Sequence, residues 1–411
     1  MTKFIPALII TTSIGLASCG TQTADTADAP KGDTTATGSV ETKDANTDYK
    51  PAFEGQTRIT SVKTVTPFEG KVLSSDLKKP WGLTGLPDGR LLITEKEGTM
   101  RIATAEGTLS AAITGIPKVN SDGQGGLLGI CVDPAFETNK MVYWVFAEPL
   151  KEGNLTAVAK GKLSADETKI EGATVIYRAT PAYNGTLHYG GRILFTKDGN
   201  LIITTGERSD LETRPQAQDT NSGLGKVIRI TTEGKPAAGN PFEGKAGARP
   251  ELYSYGHRNV QGIAFHPVTG DIWEGEFGPR GGDELNRIEA GKNYGWPTIT
   301  YGIEYAGGKV GDAIQQKDGL EQPVYYWDPV VSPSGMTFYN SDNVPEWKNN
   351  LFISCLSGMH IARIVIDNNK VVGEERLLSE EGQRFRDITQ GKDGALYAVT
   401  DQGRLYKVDK K

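Results

Sequence analysis

Leu86-Pro87-Asp88-Gly89 runs directly into Arg90-Leu91-Leu92-Ile93-Thr94. Asp-Gly supplies the positive-φ position of a tight turn, and the aliphatic, β-rich run behind it reads as a strand. The unit returns as Thr196-Lys197-Asp198-Gly199 before Asn200-Leu201-Ile202-Ile203-Thr204, and as Gly391-Lys392-Asp393-Gly394 before Ala395-Leu396-Tyr397-Ala398-Val399-Thr400. Looser copies fill the intervals. Asp133-Pro134-Ala135-Phe136 precedes Met141-Val142-Tyr143-Trp144-Val145-Phe146, Phe265-His266-Pro267 leads to Asp271-Ile272-Trp273, and Phe338-Tyr339-Asn340 leads to Leu351-Phe352-Ile353-Ser354. Recurrence of one strand–turn unit along a chain marks a repeat architecture, and six copies predict an all-β, six-bladed β-propeller. The intervals exceed the roughly 40–45 residues of compact propeller repeats, so long inter-strand loops are expected. A sandwich or barrel with ordinary Asp-Gly turns is the competing all-β reading, and copies spread over the whole domain disfavour it.

The composition fits. Of 411 residues, 51 are Gly, as many tight turns between short strands require. Hydrophobic residues reach 37%, enough for a large core. The net charge of −6 argues against nucleic acid as a partner, since that would want a basic face.

The N-terminus carries an address. Met1-Thr2-Lys3 is a short positive start, Phe4 to Ala17 is mostly apolar, and Leu16-Ala17-Ser18-Cys19 follows. The apolar run is too short to span a bilayer and reads as a secretion signal. Small residues leading to Cys19 and then Gly20 are similar to the bacterial lipobox, where the Cys is acylated; a plain signal peptide with a chance Cys is the alternative. We therefore expect export, with lipid anchoring to a bacterial membrane facing the periplasm or the cell exterior. Residues 20–50 are rich in Thr, Ala, Asp, Lys and Gly, a composition that buries too little apolar surface to offset ordering entropy. The expected organisation is a lipoprotein signal peptide over 1–19, a disordered polar linker over 20–50 and a six-bladed β-propeller domain over 51–411. Cys131 and Cys355 fall in different expected blades, which favours two buried thiols over a disulfide.

The residues with chemistry lie between the repeats. They are Asp122-Gly123-Gln124-Gly125-Gly126, Leu187-His188-Tyr189-Gly190-Gly191-Arg192, Tyr255-Gly256-His257-Arg258-Asn259, Glu276-Phe277-Gly278-Pro279-Arg280-Gly281-Gly282-Asp283-Glu284 with Asn293-Tyr294-Gly295-Trp296-Pro297, and Gly382-Gln383-Arg384-Phe385-Arg386-Asp387. In a propeller such loops converge on one end of the central channel. Arg258, Arg384 and Arg386 present planar cationic donors that match carboxylates, and Arg384 and Arg386 alternate with Phe385, so a strand puts both on one face. Together they point to an anionic ligand, although solvated surface arginines would look the same. His188, in a Gly-rich turn before a strand, is well placed for an exposed general base, with a structural His as the alternative. No two histidines have zinc-ligand spacing, no Gly-x-Gly-x-x-Gly opens a βαβ unit, and no Gly-x-Ser-x-Gly elbow occurs.

In order, these segments strongly resemble the soluble dehydrogenases of glucose and other aldoses that use pyrroloquinoline quinone (PQQ), the glucose/sorbosone dehydrogenase family. The Gly-Pro-Arg-Gly-Gly-Asp-Glu and Asn-Tyr-Gly-Trp-Pro runs are similar to the bacterial aldose sugar dehydrogenase branch, and the likeness covers roughly residues 70–409. The resemblance implies PQQ and Ca2+ as cofactors in a polar cleft, an aldose as substrate, and a quinone or small redox protein as electron acceptor. It implies His188 as the catalytic base, oriented by Glu207. Gln124, Arg258, Asn259, Arg384 and Arg386 are implied as PQQ contacts, and the Gly278 and Pro279 carbonyls as ligands of the calcium that holds PQQ. A second calcium near Glu284 and the Tyr294 carbonyl is implied by the aldose branch. The implied reaction is proton abstraction from the anomeric hydroxyl with hydride transfer from C1 to C5 of PQQ, giving a lactone. The chain departs from the glucose enzymes at Ser357, where they carry a Lys that contacts PQQ, and at Glu207, where they carry an Asp. Two rivals remain: a non-catalytic propeller binding glycans or proteins at the cell surface, and a calcium lactonase, which would want carboxylates and Asn around an axial calcium.

Overall fold

The computed structural model describes residues 1–2 and 34–411, with only the backbone considered at 34–37. The signal segment, Cys19 and residues 20–33 lie outside the described residues.

Six sheets form the blades, in chain order. Their innermost strands are Pro80–Gly85, Leu127–Val132, Gly190–Phe195, Val260–Phe265, Pro333–Phe338 and Phe385–Gln390. Each packs on the next, and the sixth returns to the first, so the ring closes. The closing blade is built from both ends of the chain. Phe68–Ser74 adds antiparallel to Leu405–Lys410, with Phe68 opposite Lys410 and Ser74 opposite Leu405. Each of the six strand–turn units of the sequence joins a blade's first strand to its second. In the three tight copies the turn is the same: Gly89 N–H donates to Leu86 O at 2.9 Å, Gly199 to Thr196 at 3.0 Å and Gly394 to Gly391 at 3.0 Å. These glycines hold φ of 92°, 78° and 82°, a region that side chains resist.

Second strands are buried on both faces because each blade is sandwiched between two others. Leu91–Glu95, Leu201–Thr205, Leu351–Cys355 and Leu396–Thr400 are buried at every position. The core is therefore a set of layers between blades. Leu92, Met100 and Ile102 of the first blade meet Ile130, Val142 and Trp144 of the second. Leu91, Ile93 and Leu83 meet Tyr397, Val399 and Leu405 of the last. Burying each such side chain contributes about 1.5–3 kcal/mol. Cys131 and Cys355 are buried, free thiols in the second and fifth blades, and burial raises both pKa values.

The turns of the repeat gather at one rim. The loops that enter first strands and leave second strands gather at the other, where the chemistry-bearing segments lie.

Described residues within the expected linker are placed against the propeller. Thr34–Ser39 pairs with Thr60–Lys63, which extends the fifth blade's sheet. Beyond it, Asn46 N and Nδ2 donate to Asp328 Oδ1 at 2.8 and 2.7 Å, and Thr47 N and Oγ1 donate to Asp328 Oδ2 at 3.1 Å each. Arg376 pairs with Glu41 at 2.9 Å. The described part of the polar segment is thus docked by hydrogen bonds rather than by apolar burial, which composition does not reveal. A chain beginning at Pro51 leaves the buried Asp328 without these donors. We expect it to lose about 1–3 kcal/mol of stability relative to the full chain, read as a lower urea midpoint. An unchanged midpoint would show that the docking contributes nothing.

Candidate active site

A cleft of about 400 Å³ opens at the functional rim, lined among others by Trp81, Lys96, Gln124, Gln261, Arg384 and Arg386. His188 and Glu207 lie beside it. The His188 N–H donates to the Gln124 side-chain oxygen at 2.9 Å, and its Nδ1 lies 3.2 Å from Glu207 Oε1. Glu207 follows the second strand of the third blade and is fully buried, and the Ser209 N–H donates to its other oxygen. His188 has φ of 46°, uncommon for a side-chain residue but least so for His, Asn and Asp. Gly190 makes this turn feasible: its φ is 68°, and a Cβ there would sit 2.5 Å from Thr205 Cα.

His188 is not the exposed base expected from its turn; only 4% of it meets solvent. Burial, then the Arg258 charge, hold its pKa below the ordinary imidazole value, and Glu207 opposes them without reversing the result. Burial works against ionised Glu207, but the hydrogen bond and charge of His188, the Arg258 charge and the Ser209 N–H outweigh it, and its pKa is lowered. With Glu207 ionised, Nδ1 carries the proton as donor, which leaves Nε2 as the acceptor.

Arg258 and Asn259 meet this pair. Both backbone N–H groups donate to Glu276 Oε2, at 2.5 and 3.2 Å. Asn259 Oδ1 accepts from Gly190 N at 2.9 Å, and Arg258 Nη1 donates to Phe277 O at 3.0 Å. Arg258 Nε and Asn259 Nδ2 are buried donors with no protein partner among the described residues. Across the cleft, Arg384 and Arg386 point to one side of their strand as the sequence pattern required, and Phe385 is buried on the other. Both reach Asp401, Arg384 Nε at 3.0 Å and Arg386 Nε at 2.8 Å.

Sequence reasoning missed the floor. Arg192 stacks on Trp81 with its guanidinium carbon 4.2 Å from the ring centroid. It pairs with buried Asp387 at 2.7 Å and donates to the Gln261 and Arg386 carbonyls at 2.5 and 3.0 Å. The pair joins first strands of the third and sixth blades across the central channel, which spans about 360 Å³ below. Arg192 ends the quoted Gly-Gly-Arg run, but its partner is 195 positions away.

Gly278 and Pro279 follow Phe277, itself on the cleft wall. Their loop is tied down by Asp283, which accepts from Gly278 N at 2.7 Å, Val331 N at 2.8 Å and Ser332 N at 2.7 Å. Glu284 and Tyr294 belong to a separate cluster between the third and fourth blades. Glu276 pairs across the sheet with Glu284, and Glu274 with Asn286, so all four share one face. His257 meets that face, its Nδ1 3.6 and 3.5 Å from Glu274 and Glu276 and its ring stacked 4.8 Å from the Tyr294 ring. Burial, then the charges of Glu276 and Glu274, raise the pKa of Glu284. Oxygen-rich, charge-crowded surroundings of this kind suit a hard cation. The sequence segments held His257 and Glu276 without a role for either and did not include Glu274, although the Glu-x-Glu alternation was a usable signal. Ser357 offers only a hydroxyl, 2.7 Å from that of Ser332.

The glucose/sorbosone dehydrogenase family model matches residues 77–407. The chain belongs to this family. Among relatives of the glucose/sorbosone dehydrogenases, the aldose sugar dehydrogenase YliI of Escherichia coli is 41% identical over 343 residues, 82% of this chain and 92% of that protein. A crystal structure of a glucose dehydrogenase superposes with a TM-score of 0.80 at 43% identity, covering 84% of this chain and 99% of its own. The PQQ-bound aldose sugar dehydrogenase of Streptomyces coelicolor superposes with a TM-score of 0.69 at 30% identity, covering 85% and 100%.

The residues present fit such a cofactor. PQQ carries three carboxylates, and the cleft offers guanidinium groups, while Arg258 and Asn259, behind the lining and bonded to Phe277 and Gln261 on it, hold orphan donors. For the floor we expect Arg192→Leu to leave Asp387 as an unpaired buried charge, costing about 3–5 kcal/mol. Urea unfolding measures it, and a loss under about 1 kcal/mol would show that the pair is not structural.

Proposed function

We propose that the chain oxidises aldoses at C1 to lactones, using PQQ and calcium. The observation that carries the reading is the buried His188–Glu207 pair beside an arginine-lined cleft. Glu207 fixes the imidazole so that Nε2 accepts the proton of the anomeric hydroxyl. The low dielectric around the pair strengthens this bias, and Gln124 holds the His188 backbone. Arg258, Asn259, Arg384, Arg386 and Gln124 bind and orient the cofactor. The Gly278 and Pro279 carbonyls hold its calcium on a loop braced by Asp283. When bound, PQQ supplies the two-electron acceptor for the C1 hydride, its quinone carbonyl polarised by calcium. Glu284 and the Tyr294 carbonyl take a second, structural calcium, with Glu276 and Glu274 adding negative charge. A quinone or small redox protein takes the electrons onward, and Cys19 carries a lipid anchor on an exported protein.

Ligands that bind only the folded state raise its stability by mass action. PQQ with calcium at about 100 times Kd therefore adds about 2.7 kcal/mol, read as a rise in melting temperature that neither alone reproduces. No response to PQQ in calcium buffer would overturn the cofactor assignment.

His188→Gln removes the base, and general-base loss lowers turnover about 10²–10⁴-fold, measured with glucose and an artificial acceptor on PQQ-loaded protein. A variant as fast as wild type returns the non-catalytic propeller to first place. Because the pKa of His188 is lowered, wild-type turnover persists below the ordinary imidazole pKa and falls only at more acidic pH. Glu207→Gln removes an anion that favours the imidazolium, so its acidic limb moves to still lower pH while the plateau drops. A limb that moves upward would contradict the pairing.

A further inference from the structure

We propose that Lys96, on the first blade, meets an anionic carboxylate of the bound cofactor and supplies the cationic contact that Ser357 lacks. This rests on the PQQ reading above.

The cleft wall gathers Lys79, Lys96, Arg384 and Arg386, with Asp401 as its acidic lining residue. Asp401 is committed to the two arginines, and Lys79 pairs with exposed Glu97 at 2.9 Å. Lys96 forms no ion pair among the described residues. Its Nζ donates to the Gly123 carbonyl at 2.6 Å, which uses one of three ammonium donors and sets it beside Gln124.

The position is built rather than incidental. Lys96 N donates to Lys79 O at 3.1 Å, and Lys96 O accepts from Leu127 N at 2.8 Å, so the backbone is pinned on both sides. The stem lies over Gly126, where a Cβ would come within 2.5 Å of Lys96 Cγ. Burial, then the charges of neighbouring Lys79 and of Arg386, lower the Lys96 pKa. An anion placed among them relieves that repulsion and satisfies the free donors. Blade five contributes no charge here: Leu356, not Ser357, lines the cleft, and the Ser357 hydroxyl is taken by Ser332.

The test is titration of apo protein with PQQ in calcium buffer, followed by fluorescence quenching. Wild-type binding is the control for the cofactor reading itself; if wild type does not bind, that reading fails, and this one with it. With wild type binding, Lys96→Gln should raise Kd about 10–100-fold, as expected for loss of a charge-assisted hydrogen bond. Lys96→Arg should restore part of the loss. Adding Ser357→Lys to Lys96→Gln should also recover affinity, because the charge returns from the opposite wall. The gap between wild type and Lys96→Gln should narrow at high salt. A Kd for Lys96→Gln within twofold of wild type overturns the proposal. If that variant fails to fold, amine acylation of wild type decides: PQQ should protect Lys96 but not exposed Lys71, and equal labelling of Lys96 with and without PQQ overturns it.

Discussion

The fold depends on one antiparallel pairing, that of Phe68–Ser74 with Leu405–Lys410. These strands are far apart in sequence, and only their union completes the last blade and seats it against the first. A ring opened there would expose the layer of Leu91, Ile93, Tyr397 and Val399 to water. It would also free Pro80–Gly85 from Phe385–Gln390, separating Trp81 and Lys96 from Arg384 and Arg386. The cleft exists because the ring is closed, and closure draws loops from across the chain to one rim.

Closure also forces charges into poor solvent, and the structure answers each differently. On the axis, Arg192 and Asp387 neutralise each other and are further hydrogen-bonded, the condition under which a buried pair is tolerated. Beside the cleft, burial and the Arg258 charge hold the His188 imidazole toward its neutral form against the pull of Glu207, which fixes its proton on Nδ1. Between the third and fourth blades, glutamates crowd one face with a single imidazole against them, and burial and the charge of Glu276 raise the pKa values of Glu274 and Glu284. On the cleft wall, cations face one another with too few acids. The first two arrangements are balanced as they stand. The last two carry excess charge of opposite sign, which a cation and an anionic cofactor would cancel.

The propeller was legible because its signal is local. Three Asp-Gly turns and the strands behind them are each encoded within ten residues, and with the three looser copies they marked all six blades. Second strands were readable from their aliphatic and β-rich starts because neighbouring blades bury both faces. What depended on distant partners was not legible. The polar stretch from Ser39 to Lys50 read as a free tether because its composition promises no burial, yet Asp328 and Arg376 hold it. The motif segments did bring His188, Glu207, Arg258, Asn259 and the arginine pair to one rim. They could not show that His188 is buried, that Arg192 and Asp387 close the floor, or that Lys96 stands on the cleft wall. Those facts come from packing among blades, and no single segment contains them.

The central claim is that this cleft passes a hydride from C1 of an aldose to bound PQQ. The most direct measurement is anaerobic rapid mixing of PQQ- and calcium-loaded protein with glucose carrying hydrogen or deuterium at C1, following quinone absorbance. The account predicts reduction in a single turnover, with the deuterated sugar several-fold slower because the C1 bond breaks in the observed step. Fully bound PQQ that no aldose reduces would contradict it.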